Sequence, residues 1–315
     1  MRILVTGGAG FIGSNIVDAL VDLGHNVFVV DNLSTGKKEN INPNAVFYGI
    51  DITHKEVLES LFKETRPEVV FHIAAQIDVR KSVENPQFDG EVNIIGSINV
   101  FELSVKYGVK RIVFSSTGGA LYGEPPEIPA SENTPIEPLS AYGVSKYCAE
   151  QYLNYFKRVY GLERVILRYG NVYGPRQDPL GEAGVIAIFT GRILGGLSPI
   201  IFGDGNQTRD YIFVEDVVRA NILALDGKEG IYNIGTSVET PVNDLVKMFS
   251  KILNKHIEPI YAPPRKGEVQ RISLDTSKAK KELGFIPEIS LEDGIRKTNK
   301  WFDYNVRKFK RDKDE

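Results

Sequence analysis

A single cysteine, Cys148, stands in a chain of 315 residues, so no internal disulfide can form. That usage is typical of reducing compartments and makes the cytoplasm the default expectation. With only four histidines beside it, no His/Cys cluster at metal-ligand spacing exists, and no metal is expected. No apolar run approaches the ~18 residues that would span a bilayer, and a strand pattern beginning at residue 2 leaves no room for a signal peptide. Neither sign of charge dominates: 38 basic against 41 acidic residues give a net −3, which points to neither nucleic acid nor a membrane surface as partner. Internal repeats and low-complexity segments are missing too. Against these absences, 42% hydrophobic and 25% charged residues suffice for one large domain or two intimately joined ones.

The stretch Thr6-Gly7-Gly8-Ala9-Gly10-Phe11-Ile12-Gly13-Ser14 organises the rest. It follows the apolar run Ile3-Leu4-Val5 and opens onto residues 11–23, which have helical spacing. Gly7, Gly10 and Gly13 allow a tight turn, a close backbone approach to a pyrophosphate, and close helix–sheet packing. The unpaired N–H groups and positive end of the helix favour phosphate there. A second strand over 27–30 ends in Asp31, 18 positions past Gly13, near the spacing of about 20 expected for a carboxylate gripping an adenosine ribose. Asp31 would repel a 2′-phosphate and Arg2 is the one nearby cation, so the expected cofactor is NAD rather than NADP. A glycine-rich turn without a ligand is the plainer alternative.

Along the chain, the pattern predicts a strand at 46–49, a helix at 54–64 stopping before Pro67, and an all-apolar strand at 69–73. A helix over 93–107 capped by Gly108 follows, then a strand at 111–114 running into Ser115-Ser116-Thr117. A helix over 142–160 ends at Gly161, and 165–167 is another buried strand. This alternation predicts an α/β fold, a Rossmann-type doubly wound parallel sheet, over residues 1–168. Residues 169–315 predict a smaller mixed α/β substrate-binding lobe, with some segments returning to the first domain. Within it are expected a helix at 214–225, a strand at 231–234, and a helix to 253 with Thr240 as N-cap and Pro241 as its first residue. Ser290 and Asp293 form a candidate capping box for the last helix, and the charged tail 307–315 reads as solvated. Cys148 falls in the 142–160 helix and is expected to be a buried small hydrophobe.

Tyr142-Gly-Val-Ser-Lys146 places a phenol and an ammonium one turn apart on one helix face. A free tyrosine is ionised to only about a thousandth at pH 7. A nearby lysine favours the phenolate, and bringing it to neutral pH takes roughly 4 kcal/mol of differential interaction. Downstream of a dinucleotide loop, after a strand ending Ser-Ser-Thr, the pair reads as catalytic.

With these residues the sequence resembles the extended short-chain dehydrogenase/reductase family, the NAD-dependent epimerase/dehydratase group. Within it the chain is similar to UDP-glucose (UDP-galactose) 4-epimerases and close nucleotide-sugar relatives. The resemblance runs from Thr6 to about Leu283 through Asp31-Asn32, Asp51-Ile52, His72-Ile73-Ala74-Ala75-Gln76, Asn93, Ser115-Ser116-Thr117, Tyr142/Lys146, Arg168-Tyr169-Gly170-Asn171, Arg209-Asp210-Tyr211 and Arg265-Lys266-Gly267-Glu268. It implies NAD in the first lobe, held by Gly7, Gly10, Phe11, Ile12, Gly13, Asp31, Asn32, Asp51, Ile52, Ala74, Ala75, Gln76, Asn93, Tyr142, Lys146 and Tyr169. It implies a UDP-sugar in the second, held by Thr117, Asn171, Arg209, Arg265 and Glu268, with Ile272 at the position that gates N-acetyl sugars. Tyr142 is then the base on the sugar's 4-hydroxyl, Lys146 holds the nicotinamide ribose and depresses the phenol's pKa, and Thr117 bonds the same sugar oxygen. Hydride leaves carbon 4, a 4-keto sugar forms and swings over, and hydride returns to its other face. A homodimer built on the helices 93–107 and 142–160 is implied as well.

Gly118-Gly119 follows Thr117 where the family's dehydratases carry Asp-Glu, so water elimination loses its expected acid–base pair. The glutamate of the decarboxylating relatives is missing too. Other nucleotide sugars (UDP-N-acetylglucosamine, UDP-glucuronate or a GDP sugar), a non-catalytic NAD(H)-binding regulator and a net dehydrogenase remain as alternatives. Asn171 as a turn residue, Arg209 as a surface partner of Asp210, and His72 as a packed histidine are the plainer readings of those positions.

Overall fold

The computed structural model describes residues 1–179, 184–265 and 269–314, with side chains through Asn305. Its first half builds β1 (Arg2–Thr6), α1 (Phe11–Asp22), β2 (Asn26–Val30), β3 (Val46–Tyr48), α2 (Lys55–Thr65) and β4 (Val69–His72). There follow α3 (Val79–Glu84), α4 (Pro86–Gly90), a π-helical turn (Glu91–Ile95), α5 (Gly96–Lys106), β5 (Arg111–Thr117), α6 (Gly118–Leu121), α7 (Ala141–Tyr160) and β6 (Glu163–Tyr169). The second half adds β7 (Asn171–Tyr173), α8 (Val185–Leu194), β8 (Ile200–Phe202), β9 (Thr208–Arg209), β10 (Tyr211–Phe213), α9 (Val214–Asp226) and β11 (Gly230–Ile234). It ends with β12 (Thr240–Pro241), α10 (Val242–Leu253), β13 (Ile260–Ala262), α11 (Ser277–Leu283) and α12 (Leu291–Asp314).

Seven parallel strands form the main sheet in the order β11-β6-β5-β4-β1-β2-β3. Because side chains alternate across a strand, each apolar run serves two cores. Ile3, Val5, Val69 and Phe71 pack against α1 and α9, whereas Leu4, Val70, Ile112 and Phe114 pack against α2, α5 and α7. The order in which strands are added to the sheet reverses between the parallel neighbours β1 and β4, which leaves a crevice at their carboxyl ends. A third apolar cluster, around Phe189, Phe213, Leu245 and Phe249, holds the lobe above that edge. Residues 214–234 return to the sheet: α9 packs on α1, and β11 pairs with β6 at the edge.

Three local expectations change. The helix predicted at 93–107 starts at Pro86, because Asn85 caps it by accepting from Phe88 N at 3.1 Å with proline at its first position. A π turn at Glu91–Ile95 then joins α4 to α5. Thr240 and Pro241 pair with β9, so the N-cap position falls on Pro241 rather than Thr240 and α10 starts one residue later, at Val242. Cys148 is half-buried rather than buried, since the inner face of α7 is taken by Lys146, Ala149, Leu153 and Phe156. Ser290 does cap α12: its Oγ accepts from Asp293 N at 3.1 Å and donates to Asp293 Oδ2 at 2.6 Å.

Candidate active site

Two cavities open at the carboxyl edge of the sheet, and Tyr142 lines both. The first, about 200 Å³, occupies the crevice between β1 and β4. Its walls include Gly7, Gly10, Phe11, Ile12, Gly13, Asp31, Asn32, Asp51, Ile52, Ala74, Ala75, Lys146 and Tyr169. The glycine loop can be nothing else here: Gly7 has φ +70° and a Cβ on it would meet Ala74 N at 2.7 Å, while one on Gly13 would lie 2.1 Å from Gly7 O. Asp31 braces the same loop, accepting from Ala9 N at 3.0 Å and from Leu33 N at 2.8 Å. At the far end, Asn32 Nδ2 donates to Asp51 Oδ2 at 2.7 Å. The first turn of α1 carries no acidic residue and no side-chain cap, so its N–H groups suit a pyrophosphate. These features fit a dinucleotide.

Gln76 and Asn93 do not line this cavity. Asn93 is buried, with Oδ1 accepting from Gln76 N at 2.8 Å and Nδ2 donating to Gln76 O at 2.9 Å. The Gln76 side chain turns inward to Asp78 and Asp89. The two residues shape the loop after β4 through its backbone. The π turn, a frequent mark of functional helix segments, contains Asn93.

His72 closes β4 in the interior, with Nδ1 2.7 Å from Thr6 Oγ1 and Nε2 2.9 Å from Ser97 Oγ. Ser97 gives its own proton to Asn93 O at 2.6 Å, and Thr6 Oγ1 already accepts from Ile73 N and Ala74 N. The arrangement that satisfies every group is a neutral imidazole protonated on Nε2. Burial, aided by the Lys146 charge, holds its pKa down to about 3. It is a packed histidine.

The second cavity, about 810 Å³, lies between the sheet edge and the lobe. Thr117, Asn171, Arg209 and Arg265 line it, and so do Arg80, Arg192, Phe202 and Val269, which the sequence did not single out. Four lining residues are arginines and, among the described residues, none is acidic. Such a wall suits a diphosphate, for which the planar guanidinium fork is well shaped. The Asn171 Oδ1 is buried without a partner, and the Arg265 guanidinium stacks over the Phe202 ring at 3.8 Å. Phe202 and Arg80 had signals, one beside Gly203-Asp204-Gly205 and the other just after the Ala74-Ala75-Gln76 run. Glu268 lies outside the described residues. Ile272 is 1% exposed in a cluster with Tyr122, Ala130 and Leu274, and Val269 rather than Ile272 lines the cavity. The branched Ile272 side chain is used up in that packing.

Tyr142 and Lys146 share one face of α7 at the junction. The Tyr142 phenol sits above its ordinary pKa: burial raises it, the Asp89 charge adds to that, and the Thr117 hydroxyl, donating to the phenol oxygen, opposes both. Burial and the Asp89 charge thus oppose the phenolate expected from the sequence. Lys146, 3% exposed, is pushed down to about 8 by burial, with Glu150 and Asp89 holding it up. Tyr169 lends its ring to the first cavity and exchanges hydrogen bonds with Asn221 at its hydroxyl. A Cβ on Gly118 would meet the end of the Leu274 side chain at 2.5 Å, so Leu274 would have to shift, and one on Gly119 would lie 3.3 Å from Asn171 Oδ1.

The profile of the NAD dependent epimerase/dehydratase family matches residues 3–235. The chain belongs to this family. Among solved structures, this family member is similar to the UDP-glucose 4-epimerase of Thermotoga maritima determined with UDP-glucose, at 53% identity, covering 97% of this chain and 100% of that one, with a TM-score of 0.96. The UDP-glucose 4-epimerase of Thermus thermophilus in complex with NAD is 46% identical over 96% of this chain and 99% of that one, with a TM-score of 0.92. The UDP-glucose 4-epimerase of Mycolicibacterium smegmatis is 44% identical, covering 96% of this chain and 98% of its own length. Among the described residues, no helix of the family member is long and apolar enough to cross a membrane, and no group of acidic, His or Cys residues forms a metal site.

Proposed function

We propose that the protein is an NAD-dependent 4-epimerase that interconverts UDP-glucose and UDP-galactose. The observation that carries this reading is Tyr142, one phenol shared by a dinucleotide crevice and an arginine-lined cavity. Bound NAD supplies reversible hydride acceptance. The chain supplies the rest. Asn171, Arg209 and Arg265 hold the diphosphate, and Glu268 holds the uridine ribose. Thr117 and Tyr142 then receive the sugar's 4-hydroxyl, with Tyr142 taking its proton and later returning it. Lys146 orients the nicotinamide ribose and favours the ionised phenol. Gly118 and Gly119 leave no acid–base group beside Thr117, which disfavours water elimination from the 4-keto sugar.

N-acetylated UDP-hexoses form a second reading, favoured by the withdrawal of Ile272 into its cluster, which leaves Val269 on the wall. We assign the activity to the cytoplasm, in keeping with a single cysteine that forms no disulfide. We also assign a homodimer. Val144, Tyr152, Tyr155 and Val159 form an exposed apolar stripe along α7, with Ile95 exposed at the end of the π-helical turn that leads into α5. A second copy related by a two-fold axis would cover both. Separation of UDP-glucose from UDP-galactose after incubation with either one tests the activity, and sedimentation tests the dimer.

A further inference from the structure

Asp89 on α4 is 1% exposed, yet only half of its carboxylate is hydrogen-bonded. Oδ1 accepts from Gln76 Nε2 at 2.9 Å and from Asn93 Nδ2 at 3.2 Å, while Oδ2 has no partner. A buried carboxylate left this way calls for a compensating positive charge nearby. α4 packs directly on α7, and the hydrogen bonds lead to the catalytic turn. Asn93 Nδ2 also donates to Ser145 Oγ at 3.0 Å, and Ser145 Oγ donates to Tyr142 O at 3.1 Å.

Charged and titratable groups reach the Tyr142/Lys146 pair from several elements. Glu150 lies one turn further along α7, but Arg168 on β6 already neutralises it through Nε at 3.0 Å and Nη2 at 2.6 Å. His72 on β4 is neutral, the Tyr169 and Tyr122 phenols are raised by burial, and Arg80 on α3 lines the far cavity. Of the carboxylates that act on the pair, Glu150 has its counter-charge in Arg168, and Asp89 has no hydrogen-bonded counter-charge among the described residues. We propose that Asp89 is a positioning residue that balances the buried Lys146 ammonium and so favours neutral phenol plus ammonium in the Tyr142/Lys146 pair. The inference rests on the reading of Tyr142 and Lys146 as the catalytic pair.

Asp89→Asn removes the charge while the retained Oδ1 can keep both accepted hydrogen bonds, and Asp89→Glu controls for the desolvation cost of the new amide N–H groups, which replace an oxygen that has no partner. Two readouts are taken: the titration of Lys146 in cofactor-free protein, by NMR of isotope-labelled lysine side chains assigned with Lys146→Met, and the pH profile of kcat on UDP-glucose. In Asp89→Asn the Lys146 titration is expected to move down by about one pH unit, and the acidic limb of kcat, set by the phenol, to move down similarly. Asp89→Glu, which keeps the charge, should return both toward wild type. An unmoved Lys146 titration, a kcat lowered evenly at every pH, or an Asp89→Asn chain that no longer folds would each overturn the proposal in favour of a structural role. Should wild type convert no UDP-hexose, the catalytic reading fails, and the Lys146 titration still decides whether Asp89 balances it.

Discussion

Arg168 grips Glu150 with two prongs, Nε at 3.0 Å and Nη2 at 2.6 Å, one helical turn beyond Lys146 and sealed from solvent. Ser116 Oγ donates to the same carboxylate at 2.5 Å, and the Tyr122 hydroxyl accepts from Arg168 Nη1 at 3.0 Å while donating to Asn233. The pair therefore fixes α7, and with it Lys146, to β5 and β6. Removing one partner strands the other charge in the core. Arg168→Met is expected to lower unfolding free energy by about 3–5 kcal/mol, with Arg168→Met/Glu150→Leu recovering much of that. Urea midpoints of the three chains check it.

The glycine loop gives a steric prediction. A methyl group at position 13 would sit 2.1 Å from Gly7 O, a backbone atom that cannot swing aside. Gly13→Ala should cost about 1–3 kcal/mol through displacement of the loop. Calorimetric NAD titration should read that as affinity reduced by roughly tenfold to a hundredfold.

Arg209 and Arg265 are expected to act on binding more than on chemistry. Losing one charged hydrogen-bonding group from a diphosphate costs about 1.5–3 kcal/mol. Each alanine variant should thus bind UDP some 10- to 100-fold more weakly, with a smaller change in kcat. Titration with UDP alone separates the two effects.

His72 predicts a pH dependence of stability. Its folded pKa, about 3, lies below the ordinary 6.5 because burial disfavours the imidazolium. Between these values the unfolded chain binds a proton that the folded chain refuses, so stability is full above pH 6.5 and falls as the pH drops toward 3. Relative to His72→Asn, wild type should lose about 2 kcal/mol between pH 7 and 5. Paired denaturant curves at pH 7 and 5 measure the difference.

The sheet was legible because its strands are buried on both faces: Ile3-Leu4-Val5 and the run from Val69 admit no other reading. The glycine loop and the crevice it lines were legible because glycine spacing there is a steric requirement. What escaped depends on side-chain direction. Gln76 and Asn93 stand at cofactor positions in the sequence but turn inward to hold the backbone, and Ile272 turns into a cluster instead of the cavity. Asp89 escaped for a similar reason, since an aspartate in Phe88-Asp89-Gly90 looks like any solvated helix residue until α4 is packed on α7. Thr240-Pro241 carries a good helix-start signal, which pairing with β9 overrides by one residue.

The central claim, that Tyr142 serves one reaction on ligands held in two cavities, is tested most directly by a conversion assay on the purified chain. UDP-glucose, UDP-galactose and their N-acetyl counterparts are incubated with and without added NAD and separated by chromatography, alongside Tyr142→Phe. Interconversion of UDP-glucose and UDP-galactose by wild type, reduced in Tyr142→Phe by at least about a hundredfold, is the predicted result. Conversion that survives unchanged in Tyr142→Phe, or no conversion of any of the four sugars even with NAD present, would contradict it.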